Sequence, residues 1–226
     1  MTRAMDREGV VKTYDRWAPV YDLVFGPVFE KARRAAITAC EEVGGRVLEV
    51  GVGTGISLPY YSNRCTVVGV DISSAMLEVA SQRVADLRMT NVEQLAIMDV
   101  QDLAFDDASF DVVTAQYVVN TVPDPEAALD EFIRVLRPGG ELIVVNRVGA
   151  EGGARLKVEK LLEPFVERLG WRSDFPWARF ESWMAEHGGV ALAERRPLPP
   201  LGHFALLRFR KTPASSRVGR DLVKAA

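Results

Sequence analysis

Short runs of β-branched and aliphatic residues recur through the middle of the chain, and the segments between them switch to helical spacing. Arg46–Val50 (RVLEV), Thr66–Val70 (TVVGV), Asn91–Ile97, Phe110–Ala115 (FDVVTA) and Glu141–Asn146 (ELIVVN) read as strands. Ala75–Leu87 and Pro125–Leu136 have the pattern of amphipathic helices, and the second leads into the fifth strand through the turn Arg137-Pro138-Gly139-Gly140. Strands alternating with helices imply right-handed crossovers and a parallel sheet covered on both faces. Before residue 46 the pattern is helical, with Pro19 and Pro27 each suited to a first helical turn. After residue 150 the rhythm changes. Leu156–Leu169 suits a helix, aromatic and proline residues cluster in Trp171–Phe180, and Arg179–His187 forms a further helix ending at Gly188-Gly189. Val190–Arg195 and His203–Arg210 are two last strands, and the link from Pro197 to Gly202 suits an antiparallel pair at a sheet edge.

Composition narrows this picture. With 226 residues, 48% hydrophobic and 26% charged, the chain has room for one substantial core. A formal net charge of −3 gives no support for nucleic-acid binding. Cys40 and Cys65 make neither a metal-ligand spacing nor a disulfide framework, so no metal is expected and the setting is reducing and cytoplasmic. Arg3, Asp6, Arg7 and Glu8 interrupt any apolar run near Met1, and no stretch approaches the roughly 20 apolar residues that cross a bilayer. No internal repeat marks a second domain, and no obligate protein partner is evident.

The informative chemistry lies in Glu49-Val50-Gly51-Val52-Gly53-Thr54-Gly55. Glycines after a buried strand let the backbone turn tightly and approach a ligand. Asp71, at the end of the second strand, is placed to accept both ribose hydroxyl protons. A dinucleotide fingerprint would space its glycines G-x-G-x-x-G. Here the spacing is G-x-G-x-G, with Ser57 close by, and Glu49 before it would repel a pyrophosphate but suit a cationic amino-acid moiety. Asp99, after the third strand, can accept from an adenine amino group while Met98 or Val100 covers the ring. Acids at the ends of strands one, two and three fit one adenosine carrying a zwitterionic tail, as in S-adenosylmethionine (SAM).

The stretch from Val47 to Asn146 resembles the core of class I SAM-dependent methyltransferases in LEVGVGTG, VGVDIS, the acid of IMDV, FDVVTAQYVVNTVPDP and LRPGGELIVVN. That resemblance implies an α/β fold: a doubly wound, Rossmann-like, seven-stranded sheet, mostly parallel with an antiparallel last strand, and helices on both faces. It implies SAM at the carboxyl edge, with Gly51, Gly53 and Gly55 on the methionine side, Asp71 on the ribose, Asp99 on the adenine and Gln116 near the methionine end. Ile72, Met76 and Tyr14 complete the expected cofactor-binding set.

An alkylamine acceptor must lose a proton before it attacks, so its site should offer hydrogen-bond acceptors and aromatic faces. Tyr14, Trp17, Tyr21, Tyr117 and Asn146 are placed for this, with Trp177 and His203 later in the chain. The spacing of Tyr14, Trp17 and Tyr21 fits the packed stripe of an amphipathic helix equally well. The flanking segments YDRWAPVYDLVFGPVFEKARR, VGAEGG, RLGWRSDFPWARF and ERRPLPPLGHFALLRFRK resemble bacterial phosphatidylethanolamine N-methyltransferases of the SAM-fold type. The opening Y-D-x-x-A-x-x-Y-D pattern is shared with quinone-ring C-methyltransferases. The phospholipid resemblance implies methylation of the ethanolamine headgroup toward phosphatidylcholine by an enzyme held peripherally on the inner, anionic membrane face. Tyr21, Tyr117 and Asn146 are then the expected catalytic residues, with Trp17, Trp177 and His203 binding the substrate. Val20, Leu23, Val24, Phe25, Val28 and Phe29, followed by Lys31, Arg33 and Arg34, and a basic end from Arg208 to Lys224 suit such a surface. The expected organisation is a helical docking segment over 1–45, a methyltransferase domain over 46–211 and a basic tail over 212–226.

Overall fold

The computed structural model describes residues 21–148, 175–199 and 204–213, with side chains from residue 29 onward. Helix α1 (Tyr21–Val43) precedes β1 (Gly45–Val50), a 3-10 turn (Leu58–Tyr60), β2 (Cys65–Asp71) and α2 (Ser74–Asp86). Then come β3 (Val92–Ile97), β4 (Phe110–Gln116), α3 (Pro125–Val135), β5 (Leu136–Arg147), α4 (Trp177–His187), β6 (Val190–Leu198) and β7 (Phe204–Lys211). The strands form one seven-stranded sheet in the order β3-β2-β1-β4-β5-β7-β6. Strands β1 to β5 pair in parallel, and β7 runs antiparallel to both of its neighbours. The expected fold class is therefore the observed one.

Period-two alternation sends side chains to two cores, one on each face. Leu48, Val113 and Val144 pack beneath Phe132 of α3 and Phe180 of α4. Val47, Val112 and Ile143 pack beneath Ala36 and Cys40 of α1 and Leu77 of α2. The helices start where the sequence supplies acceptors. Ser73 caps α2 by accepting from the Met76 N–H at 3.1 Å, and Asp124 caps α3 by accepting from that of Ala127 at 3.1 Å.

In four places the elements differ from the sequence pattern. Helix α1 runs through Pro27 rather than starting at it. The bond lost to the missing N–H is outweighed by the buried face further along, where Ala32, Ala36, Ile37, Ala39 and Cys40 lie against the sheet. That half of α1 is thus part of the domain core. The turn 137–140 is present, but as a bulge inside β5: pairing jumps from Phe110↔Leu136 to Val112↔Glu141. Gly140 belongs there because a Cβ would meet the Asp111 carbonyl oxygen at 2.7 Å. Strand β6 continues through Pro197 because it is the sheet's edge, where a missing N–H breaks no ladder. Helix α4 starts at Trp177, following Pro176 in extended conformation. The expected helix 156–169 and the tail beyond 213 lie outside the described residues.

Candidate active site

Strand order reverses between β1 and β4, so the carboxyl ends of these strands diverge and leave a crevice. The glycine loop after β1 lies at this switch point, and Gly51, Gly53 and Gly55 all have left-handed φ, +65°, +56° and +69°. Two of them differ in what surrounds them. A Cβ on Gly51 would strike the Val118 side chain at 2.3 Å, whereas one on Gly53 would meet nothing within 4 Å. Gly51 is needed for packing, and Gly53 leaves open space beside the loop backbone.

Asp71 ties this loop to its neighbours. One carboxylate oxygen accepts the Gly53 N–H at 2.8 Å and the other accepts that of Ser73 at 2.9 Å. The Asp71 carbonyl accepts the Met98 N–H at 3.0 Å, which joins the ends of β2 and β3. The Asp99 carboxylate accepts from the Gln101 N–H at 3.0 Å and stays half-buried. Met98 is partly buried, Val100 and Met76 are buried, and Ile72 is half-exposed. The acids at the ends of β2 and β3 thus flank one edge, with apolar side chains between them.

Glu49 is placed differently from a ligand-facing acid. It is 3% exposed, on the α1 face of β1. Its carboxylate accepts from the Ser57 hydroxyl, from the Tyr61 hydroxyl at 2.9 Å and from Gln116 Nε2 at 3.3 Å. Burial pushes its pKa up, against the pull of Ser57, Tyr61 and Arg33. Its contacts make it the anchor of the loop and of Gln116, whose Oε1 is buried without a hydrogen-bond partner.

On the acceptor side, Tyr117 follows β4 with a left-handed φ of +64° and donates its N–H to the Val145 carbonyl at 2.7 Å. Its ring lies 4.4 Å from that of Phe29 and 5.3 Å from that of Phe204. Because β7 is antiparallel, its first residue, Phe204, reaches the same carboxyl edge. A non-glycine residue held left-handed by surrounding contacts is a common feature of functional sites. Asn146 is fully buried, and neither atom of its amide has a hydrogen-bond partner. It shares the α3/α4 face with Val144, the face opposite Gln116. Tyr117 and Asn146 therefore lie at the same carboxyl edge on opposite faces of the sheet.

The structure takes Trp177 into the core: it is 9% exposed, near Phe180, with the Arg195 guanidinium 4.3 Å above its ring. Tyr21 opens α1, with its side chain outside the described part; Tyr14, Trp17 and His203 are outside the described residues. Several of the cations expected at a membrane face are engaged internally. Arg33 is 5% exposed, and Arg34 pairs with Glu30 at 2.9 Å. Arg208 and Arg210 bond the buried Glu141, and Lys211 caps α3 through the Ile133 and Leu136 carbonyls. Burial pushes the Cys65 thiol up to about 12 and raises that of Cys40 too, so neither is a thiolate at neutral pH. Among the described residues, no cluster of His, Cys, Asp or Glu is placed to hold a metal ion.

Sequence reading missed Arg33, Tyr61, Phe29 and Phe204 as members of this neighbourhood. The spacing of Phe29, Arg33, Ala36 and Cys40 is a helical stripe, a signal that Arg33 points inward. Tyr61 carries no such signal, since only the fold of the loop returns it to Glu49.

Residues 48–144 match the methyltransferase domain family. The sheet also superposes on the crystal structure of the [4+2]-cyclase SpnF with a TM-score of 0.74 at 20% identity, over 92% of this chain and 97% of that one. The likeness to SpnF shows the fold, and the domain match together with the relative that follows makes the chain a SAM-dependent methyltransferase. A longer match resolves the family: the chain is 42% identical to the phosphatidylethanolamine N-methyltransferase of Cereibacter sphaeroides over 207 residues, 92% of this chain and 100% of that one. The chain belongs to that family of methyltransferases. A demethylmenaquinone methyltransferase of Clavibacter sepedonicus is 35% identical over 137 residues, 60% of this chain and 54% of its own length.

Proposed function

We propose that the chain transfers methyl groups from SAM to the amine of phosphatidylethanolamine, and to its mono- and dimethyl forms, toward phosphatidylcholine. The observation that carries this reading is the extent of the match. Identity to the phospholipid relative runs through the full length of that protein, whereas identity to the quinone relative covers about half of its length. Acceptor choice depends on segments outside the shared core, and the match to the phospholipid relative takes in more of this chain, 92% against 60%.

SAM supplies an electrophilic methyl on a sulfonium, and the lost methyl leaves a neutral thioether. The remaining work is alignment and proton handling by the chain. Gly51, Gly53 and Gly55 form the open loop for the methionine part, with Gln116, fixed by Glu49, at its end. Asp71 takes the ribose hydroxyls, and Asp99 the adenine amino group. Ile72, Met76, Met98 and Val100 give the apolar walls. The amine gives up a proton before its lone pair attacks, and Tyr21 and Tyr117 orient it through their hydroxyl oxygens or, ionised to the phenolate, receive that proton. Asn146 offers a buried amide to the headgroup, which accounts for two polar atoms otherwise left unsatisfied. Tyr14 or Trp17 closes over the cofactor, and His203 lines the substrate side.

The acceptor lies in a bilayer, so the enzyme docks on the anionic inner face of the membrane rather than crossing it. No described helix is long and apolar enough to span. Transfer of labelled methyl from SAM to liposomes of phosphatidylethanolamine and phosphatidylglycerol, with products separated by headgroup, tests the whole reading. Labelled mono-, di- or trimethylated lipid is the expected result. SAM binding without labelled lipid, but with labelled demethylmenaquinone, would assign the chain to ring C-methylation. Binding with no turnover on either would leave a SAM-binding protein without catalysis.

A further inference from the structure

Arg33 is buried on α1, and none of the chemistry above uses it. Its position can be read from the two ends of the stripe it belongs to. At one end Phe29 packs 4.4 Å from the Tyr117 ring, just beyond β4. At the other, Cys40 belongs to one buried cluster with Tyr61 and with Val112 of β4. Arg33 comes four residues after Phe29, about 6 Å along the helix axis, which sets it over the last residues of β4 and the adjoining end of β1. Glu49 faces that same side, buried, with Ser57, Tyr61 and Gln116 as donors.

A carboxylate that accepts three hydrogen bonds does so fully only while ionised. Among the described residues, the titratable groups facing Glu49 are Arg33 and Cys40 from α1 and Tyr61 from beyond the 3-10 turn. Its register partners on β2 and β4 are Gly69 and Thr114, which carry no charge. Burial raises both the Cys40 thiol and the Tyr61 hydroxyl, so both are neutral near pH 7. Among the described residues, Arg33 is the cation on this face of the sheet whose positive charge favours ionised Glu49.

We propose that Arg33 is a positioning residue for the cofactor loop: its buried guanidinium keeps Glu49 ionised, and Glu49 in turn holds Ser57 and Gln116 where the methionine part of SAM binds. This rests on the reading of the glycine loop and Gln116 as the cofactor site. It also makes α1 the element that joins both halves of the site, because Phe29 on the same stripe supports Tyr117.

Two double-mutant cycles on the full chain test it, using Arg33→Gln, Arg33→Lys, Glu49→Gln and Arg33→Gln/Glu49→Gln. The first cycle reads S-adenosylhomocysteine affinity by calorimetry from pH 6 to 8.5. Arg33→Gln is expected to bind at least tenfold more weakly at pH 6 and to recover as pH rises, while the wild type stays flat and Arg33→Lys retains most of its affinity. In the Glu49→Gln background the same change should cost less than twofold. The second cycle reads unfolding by urea at pH 7 without ligand. There the double variant should be more stable than Arg33→Gln alone, because it no longer buries an unbalanced acid. Equal losses in both backgrounds, or a pH profile unchanged by Arg33→Gln, would overturn the proposal and leave Arg33 a packing residue. If the wild type binds no S-adenosylhomocysteine, the cofactor reading falls while the unfolding cycle still decides whether Arg33 and Glu49 are coupled.

Discussion

Asp71 carries two tasks that a single substitution can separate from simple folding. It fixes the glycine loop through the Gly53 N–H, and it is the residue proposed to hold the ribose. Hydrogen bonds to a charged acceptor contribute about 1.5–3 kcal/mol each. Asp71→Ala should therefore weaken S-adenosylhomocysteine binding by about tenfold or more in calorimetry, and unchanged affinity would remove Asp71 from the ribose. The left-handed glycines give a sharper comparison. Gly53 and Gly139 both have positive φ, +56° and +84°, and at neither would a Cβ meet anything within 4 Å. Alanine at either position carries a similar backbone cost, about 1–2 kcal/mol. Gly53→Ala should also intrude on the cofactor and abolish most binding, whereas Gly139→Ala, in the β5 bulge, should lower the melting temperature and leave affinity unchanged. The acids and glycines were legible as residues. That Glu49 turns inward to Ser57, Tyr61 and Gln116 was not, because burial of a carboxylate depends on donors brought from elsewhere in the chain.

The β5–β7 pairing decides how the antiparallel strand is held. Glu141 on β5 is buried and bonds Arg210 and Arg208 on β7 at 2.6 and 2.8 Å. Burial raises the Glu141 pKa, but the two guanidinium groups more than offset it, so the folded value lies below the usual carboxylate range. A lowered carboxyl pKa contributes stability above the unfolded value and loses it as pH falls through the folded one. Glu141→Gln should thus destabilise by about 1.5–3 kcal/mol near pH 7, since it removes charge-assisted hydrogen bonds from Arg208, which keeps Glu42 as a partner, and from the exposed Arg210. Urea unfolding at pH 7 and at pH 3.5 checks this, with the gap to wild type narrowing in acid. The strands and helices themselves were legible because their periodicities are local. The insertion of β7 between β5 and β6 was only hinted at by an edge link, and the passage of α1 through Pro27 contradicted the local signal. Packing against the sheet overrode it.

At the scale of the whole molecule, the proposed membrane attachment would draw on cations that the described domain does not already use. Arg33, Arg208, Arg210 and Lys211 are engaged inside the fold, which leaves Arg217, Arg220 and Lys224 of the basic end, at about 1 kcal/mol each near an anionic surface. Removing residues 214–226 should weaken flotation with phosphatidylglycerol liposomes in a salt-sensitive manner, and removing 1–12 should weaken it further. Flotation intact after both deletions would assign docking to the domain surface. By itself the sequence determined the alternation of strand and helix and the sheet's class, because each is written in spacings of a few residues, and it marked the acids proposed for the cofactor. Only the tertiary structure decided that Glu49 is an anchor, that Trp177 is core, and that Arg33 shares a face of the sheet with Glu49. Those outcomes depend on which distant side chains share a face of the sheet, and no local pattern encodes that.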